Sequence, residues 1–257
     1  MANLSLVAIA VLGGILPALV WLFFWLNEDK KKPEPTGHLL QAFLVGGLAV
    51  LVAFFLERPF LEIIGPLTGT TIALTFSLST LITILASAKL IVVWSFIEES
   101  VKYLGAQMSV FSRAAFDEPI DAMIYMITVA LGFAAVENSL FLFDLLLKGE
   151  GHVYFLVTGH LRFLGATIVH TVSSAVIGAS IAMTFYSSNI KKTLAIIIGL
   201  ATATVLHAIF NFFIINNNGA ATAQMLLALW LGAILIIYLF ERVKNITRTN
   251  SLTNKHV

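Results

Sequence analysis

The chain reads as an all-α, polytopic transmembrane bundle of seven to eight helices, and three observations predict it. Hydrophobic residues make up 59% of its 257 residues and charged residues only 11%, with a mean hydropathy of +0.95, outside the usual composition of a soluble domain. Apolar runs of about 20 residues, the length needed to cross a hydrocarbon core of about 30 Å, follow one another along the chain. The stretches between them leave no room for a sizeable soluble domain. A bilayer satisfies backbone polar groups only in helices or closed barrels, and runs of this length are helices, so no β structure is expected.

The first apolar run, 3–26, has no basic residues before it and is followed by Asn27, Glu28, Asp29 and Lys30 to Lys32. It is read as a retained first helix and not as a cleaved signal peptide. Further runs cover 38–56, 71–110, 120–147, 153–186, 193–215 and 220–240. The run 71–110 would measure roughly 60 Å as a single helix, twice the hydrocarbon thickness, and is expected to break near Ser87, Ala88 and Lys89. That break is the difference between seven spans and eight. The chain divides into N-terminal membrane helices without a motif (1–70), a catalytic transmembrane core (71–241) and a basic cytoplasmic tail (242–257).

Basic loops stay on the cytoplasmic side of a membrane. If the run 71–110 crosses once, Lys30 to Lys32, Arg113, Lys191, Lys192 and the tail residues Arg242, Lys244, Arg248 and Lys255 share one side, with Arg58 and Lys148 opposite. An odd number of crossings then places the N-terminus outside the cell membrane and the C-terminus in the cytoplasm. The net charge of +1 gives no ground for a nucleic-acid partner, and none is expected. The absence of cysteine excludes disulfides, thiolate catalysis and thiolate metal sites.

Polar groups recur at helical spacing inside these apolar runs: Glu98, Glu99 and Lys102; Glu137 and Asn138; His170 and Ser174; His207 and Asn211. An ionisable group at the bilayer centre costs roughly 2.5–3.5 kcal/mol on insertion scales, so such residues face the protein interior and mark function. Counted from the cytoplasmic ends, Glu98, Glu137 and His207 each lie roughly 20–25 Å deep, and His170 falls near the same level. One His or one Glu–Lys pair would pass as an interhelical contact; four helices carrying such groups at one depth are read as a site.

Two imidazoles and several carboxylates without thiols suit a divalent transition metal, zinc above all, with water at an open position. Glu137, His170 and His207 are the expected ligands. The same groups also serve metal-free chemistry, in which a desolvated Glu activates water and His and Asn stabilise an oxyanion. Glu98 and Glu99 point about 100° apart on a helix, so they have different tasks. One meets water or metal while the other orients a neighbour or pairs with Arg162 or with Lys102, which also lies four residues after Glu98. Glu98, Glu99, Lys102 and Asn211 are assigned to catalysis. Arg162, about 12 Å nearer the outer surface than His170, is assigned to gating or to a substrate carbonyl, and Asn138 to substrate, with a plain interhelical hydrogen bond as its alternative.

Taken together, Glu98-Glu99-Ser100-Val101-Lys102, Asp117-Glu118-Pro119-Ile120-Asp121, Gly132 to Asn138, His170 and His207-Ala208-Ile209-Phe210-Asn211 resemble the PrsW family of intramembrane proteases, in order and spacing. The likeness covers about residues 90–215. That family is related to the type II CAAX prenyl proteases of the Abi superfamily. Those have a Phe-x-x-x-His motif where this chain has Phe133 and Glu137, so prenylated substrates do not transfer. The resemblance implies hydrolysis of a peptide bond in a membrane-anchored protein, such as an anti-sigma factor cut near the outer face. Water is activated at Glu98 or Glu99, and Glu137, His170, His207 and Asn211 complete the site. Two other classes stand beside it: a non-catalytic scaffold of the same superfamily, against which the intact motif set argues, and an ion or proton transporter, against which the absence of an internal repeat argues.

Overall fold

A computed structural model describes residues 4–27, 32–68, 78–149, 156, 162–216 and 222–246. Among them lie seven α-helices and no strand: α1 Leu4–Leu26, α2 Thr36–Thr68, α3 Leu78–Ser109, α4 Pro119–Leu147, α5 Thr167–Met183, α6 Asn189–Asn216 and α7 Thr222–Lys244. A π-helical turn, Arg162–Ala166, leads into α5. Six helical stretches of the described residues are long and apolar enough to cross a membrane. The chain is an all-α polytopic bundle.

The break expected near Ser87 to Lys89 is absent: α3 runs unbroken for 32 residues. Sharp kinks come from proline, glycine–serine pairs or inserted groups, and α3 has neither Gly nor Pro before Gly105. Its length of about 48 Å exceeds a hydrocarbon core of about 30 Å. Lys89 on this helix is exposed. Sequence also ended the second span at Leu56, whereas α2 continues through Glu57 and Arg58 to Thr68.

α4 is apolar on every side, the pattern of a helix surrounded by others. Every residue from Pro119 to Ala135 is buried, and α1, α2 and α5 pack around it. Helices in lipid gain nothing from the hydrophobic effect between them and rely on close contact through small residues. A Cβ on Gly46 would fall on the Val129 carbonyl, and one on Gly132 would fall on the Phe43 carbonyl, so α2 and α4 cross backbone to backbone. Gly178 also brings α5 close to α4, though less tightly, a Cβ there falling 2.7 Å from the Ala122 oxygen. Gly132→Ala should therefore force α2 and α4 apart and destabilise the bundle by about 1–3 kcal/mol. A melting curve in detergent tests this; an unchanged Tm would refute the backbone crossing.

One end of the bundle is stapled by polar and aromatic contacts. Lys32 lies 2.8 Å from Asp117 and 3.1 Å from Glu118, and hydrogen bonding to Asp117 holds its ammonium above the usual lysine range. The Asp121 carboxylate accepts from the backbone N–H of Asp117 (2.9 Å) and of Glu118 (2.7 Å), a capping box with Pro119 in the first turn of α4. Tyr125 donates to Glu34. Phe116 stacks on Phe111 at 4.6 Å and meets Phe185 edge-on at 5.2 Å. Trp25 stacks on Phe240 at 5.7 Å. The links α1–α2, α3–α4 and α5–α6 and the end of α7 thus share one end, gathering Lys32, Arg113, Lys192 and Lys244.

Candidate active site

Four helices bring the intramembrane polar residues to one place. α3 supplies Glu98, Glu99 and Lys102, α4 supplies Phe133, Glu137 and Asn138, α5 supplies His170 and Ser174, and α6 supplies His207 and Asn211. α3 packs against α2 and α6, and α5 sits between α4 and α6, so the four faces converge. Glu137 lies about 27 Å along α4 from Pro119, beyond the middle of the helix, and His170 stands in the first turn of α5. On α4, α5 and α6 the site lies nearer the end opposite the basic loops, while on α3 Glu98 lies 11 residues before Ser109.

Glu99 is the anchor. Its side chain is fully buried. Oε1 accepts from the Lys102 ammonium at 2.8 Å and from His207 Nδ1 at 2.9 Å, and Oε2 accepts from the Ser174 hydroxyl at 2.8 Å. Lys102, also fully buried, lies 3.8 Å from Glu98 and 4.3 Å from the centre of the Phe133 ring. Its main partner is thus Glu99, three residues away, and not Glu98, four residues away.

The two imidazoles are both held by carboxylates. Glu99 is ionised against Lys102 and accepts only, so His207 Nδ1 carries the proton and Nε2 keeps its lone pair. That Nε2 faces Glu98 Oε2 at 3.7 Å. Lys102 donates only, so His170 Nδ1, 2.8 Å from its ammonium, accepts, and His170 Nε2–H donates to Glu137 Oε2 at 2.7 Å. His170 Nδ1 also faces Glu98 Oε2, at 3.9 Å. The rings stand edge-on with centroids 4.9 Å apart.

Glu98 Oε2 is thus the common target of both imidazoles, and this buried oxygen has no hydrogen-bond partner among the described residues. A buried carboxylate oxygen left open beside two carboxylate-backed imidazoles is the donor arrangement of a metal centre, in which outer carboxylates orient the ligating rings. One ligand atom from each of Glu98, His170 and His207 lies within 4.8 Å of the others. The Lys102 ammonium already sits among these donors as a cation. Glu98, His170 and His207 could together hold a metal ion, His170 through the Nδ1 that here accepts from Lys102, so a bound metal would take the place of that hydrogen bond.

The other sequence-derived site residues are placed as follows. Glu137 stands behind His170, and its side chain is the most open of the cluster at 34% exposure. Asn138 is buried and donates to the Thr167 hydroxyl at 3.1 Å, tying α4 to α5. Asn211 is half-buried one turn beyond His207. The Arg162 side chain lies outside the described residues. The sequence gives one participant no role and passes over another. Ser174 was visible only as the residue at four-residue spacing after His170, and its bond to Glu99 depends on how α3 meets α5. Glu57 on α2 lies within electrostatic reach of Glu137 and Lys102, with a buried Oε1 that has no hydrogen-bond partner among the described residues. The one signal for it was a Glu directly after an apolar run.

A polytopic helical bundle that closes a buried Glu/His centre against lipid is the architecture of an intramembrane metallohydrolase. The family model described as PrsW family intramembrane metalloprotease matches residues 34–240, and the chain belongs to that family. It is similar to Protease PrsW of Bacillus subtilis (strain 168), 25% identical over 202 residues covering 78% of this chain and 80% of that protein. It is also similar to Protease PrsW of Clostridioides difficile (strain 630), 24% identical over 201 residues, 78% of this chain and 76% of that protein. Protease PrsW of Geobacillus kaustophilus (strain HTA426) is 30% identical over 129 residues, half of each chain. No solved structure matches.

Proposed function

We propose that this intramembrane metalloprotease holds one zinc ion through Glu98, His170 and His207 and cuts a membrane-anchored protein. The observation that carries the reading is the pair of carboxylate-backed imidazoles aimed at the open Glu98 oxygen. Two imidazole nitrogens and one carboxylate oxygen, with a position left for water, form a common ligand set of catalytic zinc. When bound, the metal polarises the scissile carbonyl and makes water nucleophilic at neutral pH.

The chain's own residues supply the rest. Glu99, fixed by Lys102, Ser174 and His207, positions the His207 ring and its tautomer. Glu137 bonds to His170 Nε2 and is the cluster's carboxylate most open to the exterior. It is placed to take the proton of the attacking water and return it to the leaving amine. Asn211, on the face of α6 that carries His207, offers an amide to the developing oxyanion. Asn138 and Thr167 lock α4 to α5, which makes Asn138 a positioning residue in this reading. Phe133, with Lys102 over its ring, closes the inner side against water.

The basic end is assigned to the cytoplasm, because Lys and Arg are retained there. The N-terminus then lies outside the cell membrane, and the centre falls in the outer half of the bilayer. A single-span anti-sigma factor cut near the outer face, the substrate class that the family resemblance implies, reaches a site at that depth.

The test is metal content and cleavage in one preparation. Protein purified in detergent should carry about one zinc per chain by mass spectrometry. Chelation should abolish cleavage of a single-span membrane protein and added zinc should restore it; undiminished cleavage by metal-free protein would overturn the reading.

A further inference from the structure

At the basic end of the bundle, away from the centre, a cavity of about 310 Å³ opens between the ends of α3 and α5 and the first turns of α6. That volume is at the lower end of the ~300–1,000 Å³ typical of ligand sites. Phe111, Phe116 and Phe185 form one part of its wall, and Ile181 and Ile196 form the part that reaches into the spans. Gln107 and Lys192, both exposed, line it as well. The candidate span Leu164–Met183 ends and the next begins at Asn189 beside this cavity, so it opens where hydrocarbon gives way to headgroups.

The donors in this lining are left without protein acceptors. Lys192 makes no ion pair among the described residues, and its ammonium lies over the Phe185 ring, 5.8 Å from the centroid. Asp117 and Glu118, on the link that carries Phe116, are held instead by Lys32 at 2.8 and 3.1 Å. Gln107 accepts at Oε1 from the Tyr103 hydroxyl at 3.4 Å, which leaves its amide hydrogens to donate. Thr184 gives its hydroxyl proton to the backbone oxygens of Ser180 and Ile181 and can only accept from a ligand. The first turn of α6 carries Lys191 and Lys192 and no acidic residue, so the positive end of the helix dipole adds to their charge. Unused donors and an uncompensated positive potential in one cavity call for an anion.

We propose that this cavity binds the headgroup of an anionic phospholipid, its phosphate on the Lys192 ammonium and the Gln107 amide and the upper part of an acyl chain against Ile181 and Ile196. The site is separate from the chemistry proposed for the centre. Basic pockets between membrane helices are recurrent sites for anionic headgroups. A free phosphate would satisfy the donors yet leave the aromatic and aliphatic walls uncovered, which is the reason for assigning the site to lipid. A glycerol headgroup brings in addition a hydroxyl that Thr184 can accept. One lipid held there touches α3, α5 and α6, three of the four helices that carry the centre.

The probe is phosphatidylglycerol, titrated into the full chain after delipidation in detergent, with bound lipid counted by native mass spectrometry. Lys192→Ala should weaken the tightest binding step about fivefold, the loss of one lysine beside an anionic headgroup. Lys191→Ala removes the neighbouring charge, which lies outside the cavity lining, and should leave that step nearly unchanged. Ile196→Trp fills the cavity at constant charge and should weaken binding at least as much as Lys192→Ala. Gln107→Leu keeps the size of an exposed side chain and should weaken it by a similar factor; it carries the test if Ile196→Trp lowers the Tm. Equal weakening in Lys191→Ala and Lys192→Ala would show a diffuse attraction to the basic end and overturn the site. Wild-type affinity in Ile196→Trp and Gln107→Leu would overturn it as well. Displacement of the lipid by an equal concentration of inorganic phosphate would assign the cavity to a free anion and overturn the assignment to lipid. None of these readouts involves peptide cleavage, so the protease reading stands or falls separately.

Discussion

Glu98→Ala should reduce peptide-bond hydrolysis by at least about 10³-fold while leaving the helices inserted and folded. Glu98 Oε2 is the point on which both imidazoles converge, 3.7 Å from His207 Nε2 and 3.9 Å from His170 Nδ1. Because that oxygen makes no hydrogen bond among the described residues, its removal leaves no group newly unpaired. The cost of a buried-network deletion comes mainly from the partner left behind, so little stability should be lost here. Glu98→Gln keeps the shape and removes the anionic donor, and it should be nearly as inactive. His207→Ala should abolish activity for the complementary reason, the loss of the one imidazole whose Nδ1 is tied to Glu99. Cleavage, bound metal and Tm measured together separate these effects. Activity above a tenth of wild type in Glu98→Ala, with the fold intact, would place the chemistry elsewhere.

Lys102→Met should have the largest effect on stability, about 3–5 kcal/mol, because it removes one partner of a buried ion pair and leaves the other unpaired. Both side chains are fully buried, and Glu99 cannot turn to water. Loss of the ammonium also takes the donor from His170 Nδ1, 2.8 Å away, and the cation from the Phe133 ring. The expected result is a Tm several degrees lower in detergent, with activity lost alongside. Glu99→Gln combined with Lys102→Met removes both charges, so much of the Tm should return. Activity should not return with it, since the anionic acceptor that sets the His207 tautomer is still missing. A wild-type Tm in Lys102→Met would show that the pair contributes nothing to the bundle. Glu99→Ala, which strands Lys102 in the same way, should be both inactive and unstable.

The legible part of the site was its membership. Glu98, Glu99, Lys102, Glu137, His170 and His207 each announce themselves as ionisable groups within apolar runs, and helical rise alone puts them at one depth. Their division of labour was not legible. Spacing allowed Lys102 to pair with Glu98 four residues before it, and the chain pairs it chiefly with Glu99, three before it. Glu137 had every mark of a ligand in the sequence. In the fold it backs His170 Nε2, and Glu98 lies in the tighter group with the two imidazoles. Glu57 was passed over because the apolar run ended one residue before it, yet α2 continues and carries it to the edge of the cluster.

Composition and run length by themselves determine that this chain lives in lipid as a helical bundle, because hydrocarbon offers the backbone no other partner. The break expected in the run 71–110 is absent from the fold, where α3 continues from Leu78 to Ser109, and the contacts between loops are what bring the basic helix ends together. Which ring nitrogen faces Glu98 and which carboxylate stands behind which imidazole were decided by tertiary structure alone. The reason is geometric: helical periodicity specifies the face and depth of a residue on its own helix. The rotation and offset of one helix against another depend on backbone crossings such as Gly46 on Val129 and Gly132 on Phe43, contacts between residues that no local pattern links.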